Sequence, residues 1–255
     1  STRKESSAAS DVYKRQLGED REYVEAAIKA GLKVLGFSDH CPFVFEDGHI
    51  SPIRMLPSQV DDYFTSIDKL KKEYSKEITI YAGFESEYVP ELIENQSRLL
   101  EGYPLDYMIM GEHYTEREPF DTYTGFPTAD EGLLKKYVDA VIEGVETGRY
   151  IYVAHPDLMH FVGDDKIYEK HFTKLCTYLK SKNIPLEINV LGVSEGRHYT
   201  SEKFLKIAQK VGNKAIIGCD AHTPDQLLNK KGIEKCHMLA KKYNLELVDY
   251  LSGLE

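Results

Sequence analysis

The sequence predicts an α/β fold, preferably a closed barrel of parallel strands with helices outside, and three observations carry that expectation. Short apolar runs alternate with stretches of helical periodicity, and the 255 residues are an ordinary length for one such barrel. Five of the apolar runs also stop on a histidine or carboxylate: VLGFSDH at His40, ITIYAGFE at Glu85, YMIMGEH at His113, YIYVAHPD at His155, and AIIGCDAH at Asp220 and His222. Apolar, β-branched and aromatic runs bounded by turn signals read as buried strands. Polar residues at their C-terminal ends would meet at one rim of a parallel barrel, and imidazoles gathered with carboxylates point to a metal site.

The elements follow in order. Residues 1–16 (STRKESSAASDVYKRQ) are polar, serine-rich and basic, so they are expected to be a non-native junction or a disordered segment ahead of a single domain over 17–255. The stretch 21–30 (REYVEAAIKA) places Tyr23, Ala26, Ala27 and Ala30 on one helical face, with Gly31 as a stop and a first strand near Val34. Helical spacing recurs in 61–74 (Tyr63, Phe64, Ile67, Leu70), 131–147 (Leu134, Tyr137, Val138, Val141, Ile142), 171–180 and 204–211. Each helix leads into a strand, and regular βα alternation argues for a parallel sheet with ligands at the strands' carboxyl ends. The loop 41–57 lies beside that rim and is expected to act as a lid.

Composition narrows the function. Lys plus Arg is 32 against 42 Asp plus Glu, a formal charge of −10 that opposes binding to nucleic acid or anionic membranes. Cys41, Cys176, Cys219 and Cys236 form no C-x-x-C pair and read as reduced thiols. No apolar stretch approaches the ~18 residues needed to cross a bilayer. A cytoplasmic protein is expected, while the oligomeric state is not encoded in any pattern.

Each motif has a plain structural explanation when taken alone. Asp39-His40 reads as a hydrogen-bonded pair, and His113 or His155 as a buried imidazole donating to a carbonyl. Glu85 and Glu87 share one side of an extended chain, so one is expected to face the interior and the other to sit in solvent. Asp220 and His222, at i and i+2, offer a carboxylate and an imidazole to one face. Jointly, one polynuclear metal site explains all five strand ends. His49, His171, His198 and His237 are expected on the surface, as are Asp61-Asp62 and Asp164-Asp165; His160 follows the HPD segment closely.

In this order, D-H, G-x-E-x-E-Y, G-x-H, A-H-P-D, L-E-I-N and G-x-D-A-H resemble the PHP (polymerase and histidinol phosphatase) domain over about residues 19–250. GFSDH at 36–40, the tyrosine after Glu87, PLEIN at 185–189 and the loop 192–199 resemble its monofunctional histidinol-phosphatase branch. The resemblance implies a distorted (β/α)7 TIM-like barrel holding up to three divalent metal ions, zinc, manganese or iron. It implies metal ligands at His40, Glu85, His113, His155, Asp220 and His222, with Glu85 bridging and Asp220 and His222 catalytic. It also implies a small phosphorylated substrate, L-histidinol phosphate, hydrolysed to L-histidinol and phosphate. Arg197 is the first candidate for clamping the phosphate and Arg54 the second, and Glu87, Glu112 or Asp157 would meet the substrate's cationic groups. Family members open with a His-x-His strand, whereas residues 1–39 contain no histidine. The expectation is therefore a barrel lacking its native first strand, fewer metals and impaired activity. The alternatives are another PHP phosphoesterase, acting on nucleotides or phosphotyrosine, or an inactive metal-binding remnant. Tyr199-Thr200 stands where the family often has Tyr-Pro.

Overall fold

A computed structural model describes residues 18–118 and 123–248; the segment 1–16 lies outside them. Helix α1 (Asp20–Ala30) starts at a reciprocal capping box between Glu19 and Glu22 and stops at Gly31 in the left-handed region, φ 82°. It buries Tyr23, Val24, Ala26 and Ala27. Strand β1 (Val34–His40) follows, then α2 (Val60–Glu73), β2 (Thr79–Ser86), α3 (Ile93–Leu100) and β3 (Tyr107–Met110). The apolar face of α2 buries Val60, Tyr63, Phe64, Ile67 and Leu70, each large side chain contributing about 1.5–3 kcal/mol. Helices α4 (Glu131–Glu146) and α5 (Asp165–Ser181) begin on Asp130 and Asp164, whose carboxylates accept from the first free backbone N–H groups. The second half continues with β4 (Leu186–Asn189), α6 (Val190–Glu195), α7 (Glu202–Val211), β5 (Lys214–Gly218), α8 (Lys230–Lys242) and β6 (Glu246–Leu247).

The strands form two parallel three-stranded sheets, β1-β2-β3 and β4-β5-β6. The run YIYVAHPD, expected as a full strand, is an irregular segment that nonetheless pairs on both sides. The N–H of Ile151 and of Ala154 donate to Met108 and Met110, and that of Met110 donates to Tyr152. On the other side the Val153 N–H donates to Pro185 and the Glu187 N–H to Val153. Residues 151–154 thus join the two sheets into one parallel array, with positive φ at His155 cutting the strand short. Among the described residues no backbone ladder joins β1 to β6.

Three sequence expectations are corrected. Helix α5 begins at Asp165, a turn and a half before 171, because the Asp164 cap fixes its start. Helices α3 and α8 were outside the expected set: α3 buries only Gln96 and Leu100, and α8 only Gly232, Ile233, Cys236 and Ala240, so their apolar stripes are thin. His171, expected on the surface, is 5% exposed and paired with Glu131. Among the described residues no helix is long and apolar enough to cross a membrane.

Candidate metal centre

Parallel pairing puts the strand ends side by side: Cα register aligns His40 with Glu85, and Glu85 with Ile109. The chain beyond β3 then carries His113, and that beyond 151–154 carries His155. Glu85 Oε1 lies 2.8 Å from His155 Nε2 and 3.7 Å from His113 Nε2. The His113 ring is 5.0 Å from that of His155 and 4.6 Å from that of His40. One cavity of about 710 Å³ takes in His40, Glu85, His113, His155, Asp220, His222 and Arg197, with Ile53, Tyr114, Tyr123, Phe126, Leu158 and Tyr199 completing its wall. Side chains more than 180 positions apart in the chain therefore share one space.

Among the described residues, two triplets hold donor atoms close enough for one cation: Glu85–His113–His155 and His40–Glu87–His113. The first fits a metal on independent grounds. Glu85 Oε1 and His155 Nδ1 are buried with no hydrogen bond of sound geometry; His40 Nδ1, of the second triplet, is orphaned too. The 2.8 Å approach of His155 Nε2 to Glu85 is thus a meeting of donor atoms rather than an aligned N–H···O bond. Imidazole nitrogen with carboxylate oxygen suits zinc, manganese or iron.

Electrostatics agree. Burial alone would raise the Glu85 carboxyl, but the imidazoles of His113 and His155 outweigh it and hold the group well below the usual carboxylate range. Burial pulls His155 down, yet Glu85, Asp220 and Glu187 carry it to about 9. His40 is lowered to about 3 by burial and by the neighbouring His113. The centre collects positive charge at His155, a role a divalent cation among the same donors would fill.

The backbone is shaped for this arrangement. His155 and Asp220 have φ of 28° and 52°, a conformation costing about 1–3 kcal/mol per residue that the surrounding packing must hold. In G-x-E, G-x-H and G-x-D the glycine sits two residues before the carboxylate or imidazole, within β2 for Gly83 and at or just past the strand end for Gly111 and Gly218. A Cβ on Gly111 would overlap Glu85 Oε1, one on Gly218 would overlap Glu187 Oε1, and one on Gly83 would meet the Tyr107 ring. These glycines make room for large groups from the neighbouring strand; their recurrence at one offset was the signal in the sequence.

Other expected site residues fall differently. His222 donates from Nδ1 to the Asp220 carbonyl at 2.9 Å, leaving Nε2 for the cavity. Arg197 is exposed and held by Glu195 and by the Tyr199 hydroxyl, at 2.8 and 2.7 Å. Arg54 does not reach the cavity. It is 4% exposed, with its guanidinium on Glu87 and Glu118, because the loop 41–57 turns it inward over the Phe43 ring. The same loop is fastened by the Cys41 N–H on the Glu85 carbonyl and the Met55 N–H on that of His40, and only Ile53 of it faces the cavity. Glu87, expected in solvent if Glu85 faces inward, is fully buried beside Arg54 and His113. Glu112 and Asp157 are likewise buried, accepting from the backbone N–H of Tyr88 and Ser201. His198 is half-buried, bonded to the Leu158 carbonyl and stacked on His160 at 4.1 Å. Glu187 and Asn189, read in the sequence only as part of the LEIN motif and given no role, are two further functional candidates. The Asn189 amide bridges Glu187 (2.9 Å) and Asp220 (3.2 Å), and burial pushes the Glu187 carboxyl up to about 7 against the pull of His155.

Residues 18–190 match the family model described as "PHP domain". The chain belongs to the PHP domain family. His40, Glu85, His113 and His155 lie within the matched part of this PHP chain, whereas Arg197, Asp220 and His222 lie beyond it. It is 27% identical over 221 residues to a probable histidinol-phosphatase of Deinococcus radiodurans, covering 82% of each chain. It is 22% identical to the histidinol-phosphatase of Bacillus subtilis, covering 79% of this chain and 86% of that one. In fold it resembles the Lactococcus lactis histidinol phosphate phosphatase solved with zinc, L-histidinol and phosphate, with TM-score 0.74 and 19% identity over 100% of this chain and 98% of that one.

Proposed function

We propose that this chain is a metal-dependent phosphomonoesterase that hydrolyses L-histidinol phosphate to L-histidinol and phosphate. The observation that carries the reading is the convergence of Glu85, His113 and His155 in a cavity that Arg197 also enters. Glu85, His113 and His155 would hold a divalent cation, with Asp220, His40 and His222 in reach of the same cavity. Such a cation supplies Lewis acidity toward a phosphoryl oxygen and makes hydroxide accessible near neutral pH. Arg197 then takes the remaining phosphate oxygens. Its present partner Glu195 is about half exposed, and such pairs are worth only about 0–1 kcal/mol, so a dianion readily displaces it. His222, its Nδ1 tied to the Asp220 carbonyl, would move a proton at Nε2, and Asp220 would orient the attacking water. The lining residues Tyr114, Tyr123, Phe126 and Leu158 offer flat apolar surface to an imidazole ring, and the cavity volume suits a small phosphomonoester. The entry of residues from β1 and from beyond β5 into one cavity supports reading the parallel array as the wall of a distorted barrel.

The test is phosphate release from L-histidinol phosphate, a nucleoside monophosphate and phosphotyrosine, each with zinc, manganese or iron(II) added. Release confined to histidinol phosphate and abolished by a chelator is expected. Turnover of the other two but not of histidinol phosphate would refute the substrate, and metal-independent turnover would refute the chemistry.

A further inference from the structure

We infer that Arg54 is a positioning residue for the metal centre: by gripping Glu87 it fixes which ring nitrogen of His113 is turned toward Glu85 and His155. The inference rests on reading Glu85–His113–His155 as the metal position. His113 belongs to both donor triplets, but a neutral imidazole presents one lone pair and one N–H, so it cannot serve two cations equally. Glu87 decides between them. Its Oε1 is 3.0 Å from His113 Nδ1, and its Oε2 is 2.5 Å from Arg54 Nη1. Arg54 is in turn held by Glu118, from Nε at 2.9 Å and Nη2 at 2.7 Å, and lies 4.5 Å over the Phe43 ring. Arg54, Glu87 and Glu118 are each no more than 5% exposed, so none of them can trade these partners for water.

Glu87 is therefore already paired with a buried cation. A metal ion at His40–Glu87–His113 would sit beside the guanidinium and be repelled by it. The carboxylate instead suits an N–H donor, so the proton of His113 rests on Nδ1 and the lone pair on Nε2 faces Glu85 and His155. Carboxylates that accept from the far nitrogen of a metal-ligating histidine fix its tautomer and raise its basicity. Here the carboxylate is locked in place by an arginine from the loop 41–57, which is itself tied to the β1 end through Met55 and His40. That loop's contribution to the centre is electrostatic orientation rather than substrate contact.

The tautomer of His113 is measured by long-range 1H–15N NMR on the metal-free full chain, at a pH where the ring is neutral, and zinc affinity by chelator competition. The wild type is expected to carry its proton on Nδ1. In Glu87→Gln, Arg54 claims the amide oxygen and the amide NH2 group faces Nδ1; the proton moves to Nε2, and zinc binds about 10- to 100-fold more weakly. Arg54→Met shows a mixed tautomer and a smaller loss, with Arg54→Lys taking its place if the methionine variant does not fold. A wild-type proton on Nε2 overturns the inference, and this single measurement decides even if Glu87→Gln fails to fold. So does a folded Glu87→Gln, or Arg54 variant, with the wild-type tautomer and zinc affinity within about twofold. Neither readout uses a substrate, so the result stands apart from that of the phosphatase assay.

Discussion

Replacing Arg54 by methionine should destabilise the protein more than any single change on its surface. The substitution removes three charge-assisted hydrogen bonds, at 2.5, 2.7 and 2.9 Å, and leaves Glu87 and Glu118 buried without their cation. Breaking a buried ion pair from one side costs about 3–5 kcal/mol. At about 2–4 °C per kcal/mol for a domain of this size, the melting temperature should fall by roughly 6–20 °C. The dependence on pH has a definite sign. Burial pushes the Glu87 carboxyl up, but Arg54 and His113 outweigh it and hold the group below its ordinary 4.5. An acid depressed in the fold stabilises above its unfolded pKa, and that contribution is lost as pH falls. The deficit of Arg54→Met should therefore be widest near neutrality and narrow below about pH 4.5. Removing the whole triad should cost less than breaking it, so Arg54→Met combined with Glu87→Gln and Glu118→Gln should recover stability over Arg54→Met alone. Urea denaturation of the metal-free chain across this pH range checks all three statements. A neutral-pH deficit under about 1 kcal/mol, or one that grows on acidification, refutes the reasoning.

Three further outcomes are expected. Glu85→Gln should lose its bound metal by elemental analysis and at least about 100-fold in phosphate release, since even outer partners of metal ligands cost 10- to 100-fold; full metal content would remove Glu85 from the ligand set. Arg197→Met should lower kcat/KM by about 10- to 100-fold, corresponding to about 1.5–3 kcal/mol for a charged hydrogen bond, with partial recovery in Arg197→Lys; an unchanged kcat/KM would exclude it from phosphate binding. Gly111→Ala should cost about 1–3 kcal/mol in urea denaturation and weaken zinc binding by displacing Glu85, and wild-type affinity would count against that packing argument.

Much of the fold was legible because period and punctuation agree along this chain. The stop of α1 at Gly31, the start of β1 at Val34 and the apolar faces of α2, α4 and α7 follow from local pattern. The convergence of His40, Glu85, His113, His155, Asp220 and His222 was legible too, since a parallel sheet brings strand ends together whatever lies between them. What could not be read depends on partners distant in sequence. Arg54 read as a second phosphate candidate or a surface salt bridge because Glu118, which captures it in the interior, is 64 residues away. His171 looked exposed because Glu131, with which it pairs, is 40 residues away. Glu87 obeyed the strand alternation, but the rim beyond it is covered by the loop 41–57, which the pattern left open.

The segment 151–154 is also a seam. Among the described residues it carries the backbone bonds between β3 and β4, while Glu85 stands on one side of it and Asp220 on the other. An ion gripped by Glu85, His113 and His155 would rivet the first sheet to this seam. Loading the centre should thus tighten this join, and slower amide hydrogen exchange at Val153, Ala154 and Glu187 would register that mechanical effect far more directly than any change in overall shape.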